Sequence, residues 1–192
     1  MTAKPGLMVA GVRESGLVSR DASGRPVTVD IVIEAGAWPP QAALAGIAKG
    51  AVEAAVSVAG IADRIGPSAS VGDSEVSIVF TDDAAIRVLN KRWRDKDNAT
   101  NVLSFAQDGP GRQAGMLGDI VLAQETVARE ATLEGKLLNH HIAHMIVHGF
   151  LHLLGYDHQN DKDAETMEDL ERKALTLIGI ADPYACAGTE DD

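Results

Sequence analysis

The apolar and polar positions alternate most clearly in VTVDIVIEA, residues 27–35, and period two predicts a strand there. Trp38, Pro39 and Pro40 break it. The alanine-rich stretch from Gln41 to about residue 65 predicts a helix despite Gly46, Gly50 and Gly60, with Gly66 and Pro67 as its stop. EVSIVF (75–80) predicts a second strand, and Thr81 with Asp82 supply an N-cap for a helix through about Arg92. RDKDNAT reads as a loop, NVLSFA (101–106) as a third strand, QDGPGRQAG as a turn-rich connection and LGDIVLA (117–123) as a fourth strand. Three helices follow, over about 124–134, 137–155 and 161–178. The middle one, LLNHHIAHMIVHGFLHLLG, is apolar nearly all round and is expected to be buried. The last is amphipathic.

These elements predict one α+β domain over residues 26–181, with a four-stranded sheet packed on helices. Residues 1–25 are rich in Gly, Ser and Ala without a sustained period and read as a weakly ordered leader. Residues 182–192 read as an acidic tail.

Composition changes this picture little. A chain of 192 residues, 45% hydrophobic and 23% charged, has enough apolar side chains for one core. No uninterrupted apolar run of a membrane helix's length and no signal-peptide h-region stand out, so no membrane partner is expected. The only cysteine, Cys186, cannot form an internal disulfide, which makes a reducing cytoplasmic setting the default. The net charge of −11 argues against a nucleic-acid partner until its distribution is considered. Acids concentrate in the tail and along the last helix (Asp161, Asp163, Glu165, Glu168, Asp169, Glu171), whereas RVLNKRWRDK gathers Arg87, Lys91, Arg92, Arg94 and Lys96 around a single Asp95. A local basic patch survives inside an acidic protein.

The candidate chemistry lies in HGFLHLLGYDH, where His148, His152 and His158 stand at relative positions 0, 4 and 10 with Gly155 at 7. This is the ligand spacing of the metzincin zinc signature. His144, His148 and His152 form one helical stripe, but the outer two lie about 12 Å apart along the axis, too far to share an ion. An i, i+4 pair can share one, and Gly155 lets the chain leave the helix so that His158 folds back on it. His144 is then a buried packing or orienting group, and His140 and His141 read as surface or capping residues. Asp157 reads as a rival ligand or a carboxylate orienting an imidazole. Three protein ligands leave a fourth tetrahedral position open, as at catalytic zinc sites.

The peptidase signature carries its glutamate base where this chain has Gly149, so peptidase chemistry of that type is not expected. A metal that acidifies water, with an arginine fork to neutralise a phosphorane-like transition state, fits phosphodiester cleavage. HGFLHLLGYDH, LNKRWRDKDNATNVLSF and LGDIVLA together resemble the YbeY family of bacterial endoribonucleases and ribosomal-RNA maturation factors, and the order of elements from about Val27 to Ile180 agrees.

The resemblance implies a small mixed sheet with a metalloprotease-like core, with one Zn²⁺ held by His148, His152 and His158. It also implies RNA cleavage assisted by Arg94; the basic patch itself predicts that Lys91, Arg92 and Lys96 help hold the RNA backbone. The implied task is single-strand cleavage in maturation of the small-subunit ribosomal RNA 3′ end and in ribosome quality control. The acidic tail and last helix in turn suggest basic ribosomal proteins of the small subunit as partners. Ala99 replaces the family's usual proline and Trp93 its common tyrosine. Ser104, Thr100 and Asp119 read as strand or turn residues. Two other classes stay open: a non-catalytic, metal-stabilised assembly factor, and a metallopeptidase-like hydrolase.

Overall fold

The computed structural model describes residues 12–20, 26–59, 74–107 and 115–185. Residues 1–11 and 21–25 of the expected leader, the end of the first helix beyond residue 59, most of the turn-rich connection and the tail from Cys186 lie outside the described residues.

In chain order the elements are β1 (Val12–Arg20), β2 (Pro26–Ile33), α1 (Gln41–Ala59), β3 (Ser74–Thr81), α2 (Asp83–Arg94), β4 (Val102–Ala106), β5 (Met116–Ala123), α3 (Gln124–Leu133), α4 (Leu138–Leu153) and α5 (Asp161–Leu177). The strands form one mixed sheet in the order β1-β2-β3-β5-β4. The central pairs β2–β3 and β3–β5 are parallel, and the outer pairs β1–β2 and β4–β5 are antiparallel. Among the described residues the sheet therefore has five strands, not the four expected from the sequence.

The additional strand, β1, comes from the stretch read as a leader. Its alternation is hidden by a bulge: Glu14 faces Ile31 and Leu17 faces Val29, so two residues, Ser15 and Gly16, oppose one. Gly16 takes a left-handed φ of 83° there, and its N–H donates to Asp30 Oδ1 at 2.9 Å. The period changes phase across the bulge, and no run of period two survives for a reader of the sequence.

The two faces of the sheet differ. Val29, Ile31, Val76, Ile78, Phe80, Ile120 and Leu122 point into the main core, filled from above by α1, α4 and α5. On the other face Val79, Leu103, Val121 and Ala123 make a smaller core with Ile86 of α2. Helix α1 is long and apolar enough by composition to cross a membrane. Here its apolar residues, Leu44, Ala48, Val52 and Val56 among them, are buried against the sheet and the other helices. Helix α4 lies over the β4–β5 edge, so the histidine helix and the basic helix α2 flank the same border of the sheet from opposite faces.

Candidate metal centre

Helix α4 ends where the sequence places its stop. Gly155 has φ of 84°, its N–H donates to His152 O at 3.0 Å, and the Tyr156 N–H donates to Leu151 O at 3.1 Å. This is a Schellman turn, and it reverses the chain so that residues 156–158 return toward the helix end. The imidazoles of His148, His152 and His158 then cluster, with ring centroids 4.6 Å (148–152), 5.1 Å (152–158) and 5.7 Å (148–158) apart. One nitrogen from each lies within 4.8 Å of the others.

The proton positions on two of these rings follow from their outer partners. His148 Nδ1 lies 2.8 Å from Glu171 Oε1, and His152 Nδ1 lies 2.9 Å from the Tyr156 carbonyl oxygen. Both partners are acceptors, so each Nδ1 carries the proton and donates it. That leaves each Nε2 with a lone pair, and the two Nε2 atoms stand 3.1 Å apart. Two nitrogens bound tetrahedrally to one zinc at ~2.05 Å would be about 3.3 Å apart. The donor set thus fits a Zn²⁺ ion with small ring adjustments. Burial, and then the neighbouring His148, push the His152 pKa down to about 4, so its imidazole is neutral and able to ligate at neutral pH.

His158 is held differently. Its ring is exposed, and its backbone N–H donates to Asp157 Oδ1 at 2.8 Å. Asp157 Oδ2 accepts from Gln159 Nε2 at 2.6 Å. Asp157, which the sequence offers as a ligand or imidazole partner, shapes the turn that presents His158.

The remaining histidines lie outside the cluster. His144 is buried, and its Nε2 bonds Glu171 Oε2 at 2.8 Å. His141, expected at the surface, is also buried and bonds Glu130 Oε2 at 3.0 Å, while His140 is half-buried at the helix start. Sequence reading missed Glu171 as a site residue. It is 1% exposed, although it stands in the acid-rich run of the last helix. Burial works to raise its pKa, but the hydrogen bonds from His144 and His148 outweigh that and hold it at about 2.

Gly149 explains the missing glutamate. A Cβ at this position would lie 2.8 Å from Ile120 Cγ2 and 2.9 Å from Ser104 Oγ, so α4 rests on β4 and β5 through a residue without a side chain. We expect Gly149→Glu to create no peptidase activity and to destabilise the fold by at least about 2 kcal/mol, through overpacking and a buried carboxylate. Chemical denaturation checks this, and an unchanged midpoint would show that the helix can lift off the sheet without cost.

The basic segment closes helix α2. Asp95 takes the left-handed conformation (φ 57°) at the helix end, and buried Asn90 donates from Nδ2 to Asn98 O at 2.8 Å, pinning the loop that follows. Asn101 ties the far end of that loop to Glu130 at 3.0 Å. These two asparagines hold the segment that contains Ala99. Arg87 and Lys91 both reach Asp97 at 2.7 Å, and their hydrogen bonds bring that carboxyl to about 2. Lys91 is therefore already engaged. Among the described residues no hydrogen bond or ion pair engages the side chains of Arg94 and Lys96. Arg92 lies over the Trp93 ring at 5.2 Å, and Trp93 meets Phe105 of β4 edge-on at 6.3 Å. The structure brings the three histidines together. It leaves Arg94 exposed at the end of α2, with no hydrogen bond or ion pair to them.

The chain is similar to known proteins over most of its length. The family model described as endoribonuclease YbeY matches residues 40–179. Relatives carrying that description include proteins from two strains of Rhodopseudomonas palustris. One is 43% identical over 165 residues, covering 83% of this chain and 94% of the relative; the other is 46% identical over 176 residues, covering 90% and 88%. A third, from Nitrobacter hamburgensis, is 45% identical over 182 residues, covering 92% and 90%. A solution structure from Thermotoga maritima aligns over 78% of this chain and 91% of its own, with 21% identity and a TM-score of 0.47.

Proposed function

The chain belongs to the YbeY endoribonuclease family, and from that premise we propose that it is a zinc-dependent endoribonuclease of single-stranded RNA. Its task is maturation of the small-subunit ribosomal RNA 3′ end and ribosome quality control. Membership carries the endoribonuclease activity, RNA as substrate and consistency with ribosomal-RNA maturation. One observation supports metal dependence above the others: His148 and His152 have their Nδ1 atoms tied to acceptors and their Nε2 atoms facing each other at 3.1 Å.

His148, His152 and His158 hold the ion, which when bound supplies Lewis acidity at neutral pH. Arg94 engages two oxygens of the scissile phosphate through its planar fork and stabilises the charge that develops there. Arg92 and Lys96 meet neighbouring backbone phosphates, and Lys91 joins them where a phosphate exchanges for Asp97. Gly149 takes no chemical part; it lets α4 sit against β4 and β5.

The catalytic domain is centred on residues 26–181 and works in the cytoplasm without a membrane partner. The acidic face of α5, with Asp161, Asp163 and Glu165 exposed, offers a surface for basic ribosomal proteins of the small subunit. Removing the metal tests the reading. Chelator-treated protein should lose cleavage of a labelled single-stranded RNA and recover it when zinc is returned. Full activity in the metal-free protein would reject it.

A further inference from the structure

Glu171 stands behind the histidine cluster, and its contacts are distributed unevenly. Among the described residues Oε1 serves His148 alone, at 2.8 Å from Nδ1. Oε2 serves His144 at 2.8 Å and also accepts the hydroxyl of Tyr184. A carboxylate with 1% exposure is expensive to bury unless charged or polar partners compensate it. A purely structural role would be met by the two partners on Oε2. The remaining oxygen is spent on a candidate ligand, on the side of the ring away from the nitrogen that faces His152.

Tyr184 closes this arrangement from the chain's far end. Its ring stands edge-on to His144, with centroids 5.8 Å apart, and the Arg172 guanidinium lies 5.2 Å from the ring centre. Its turn is fastened at two further points, by Lys136 Nζ donating to Pro183 O at 2.9 Å and by the Arg172–Asp182 pair at 3.6 Å. A side chain only thirteen residues past Glu171, beyond the end of α5, thus covers the buried carboxylate.

We propose that Glu171 is a positioning residue of the metal centre and that Tyr184 is its latch. Glu171 fixes the His148 proton on Nδ1 and locks the ring so that the Nε2 lone pair faces His152 and His158, while the Tyr184 hydroxyl keeps water from competing for the carboxylate. The Tyr156 carbonyl does the same for His152, leaving His158 as the ligand whose ring is not anchored among the described residues. This proposal rests on the reading of the three histidines as a metal site.

The test measures zinc affinity by competition with a chromophoric chelator, together with apo-protein circular dichroism. Glu171→Gln should weaken zinc binding about 10–100-fold, because the amide restores an acceptor but not its charge. Tyr184→Phe should give a smaller loss in the same direction. Unchanged affinity in a folded Glu171→Gln variant overturns the proposal while leaving the metal site intact. A parent protein that binds no zinc overturns the site and the proposal together. Should Glu171→Gln fail to fold, long-range ¹H–¹⁵N spectra of the zinc-loaded parent decide the question. A proton on His148 Nδ1 supports the proposal, and a proton on Nε2 overturns it.

Discussion

Replacing His152 by alanine should abolish metal binding and RNA cleavage together. His152 is the best prepared of the three candidate ligands. Its Nδ1 proton is committed to the Tyr156 carbonyl at 2.9 Å, and burial holds its pKa at about 4, so nearly every molecule at pH 7 presents a neutral Nε2. Removing it leaves His148 and exposed His158 alone. The loss in affinity should exceed the roughly 10–100-fold typical of removing an orienting partner. The fold should persist, because α4 is anchored by Ile142, Ile146, Phe150 and Leu151, all fully buried. Metal analysis after dialysis, paired with circular dichroism, checks this outcome. Metal retained at parental stoichiometry would move the site elsewhere.

Arg94→Ala should behave in the opposite way toward metal. Arg94 is exposed and no ion pair or hydrogen bond engages it among the described residues, so its removal should change stability by no more than about 0.5 kcal/mol. Metal content should be unchanged. Cleavage should fall by roughly 10²–10³-fold, the usual cost of losing one preorganised donor to a developing oxyanion. Arg94→Lys should recover only part of the rate, because an ammonium keeps the charge but lacks the fork. Equal rates in the parent and the alanine variant would remove Arg94 from the chemistry.

Much of this site was legible in the sequence because its signals are local. A spacing of four residues on a helix puts His148 and His152 on one face, and a glycine three residues on announces the turn that returns His158. The supporting residues are not local. Glu171 lies on an amphipathic helix rich in acids and reads as solvated; only the packing of α5 against α4 shows that His144 and His148 enclose it. Tyr184 and β1 both fall outside the stretch that sequence alone marked as the domain, the first in a segment read as tail and the second behind a bulge that hides its period. His141 reads as a surface residue until Glu130 of α3 is seen opposite it. Four strands were visible from alternation or apolar runs, and the fifth was lost to the phase change at Ser15–Gly16.

The most direct measurement is metal content and single-stranded RNA cleavage on one preparation each of the parent, His152→Ala and Arg94→Ala. The metallo-endoribonuclease reading requires that His152→Ala lose both metal and cleavage while Arg94→Ala keeps its metal and loses cleavage. A residual cleavage rate identical in all three proteins would contradict it, and the histidine cluster would then be a structural element of a non-catalytic assembly factor.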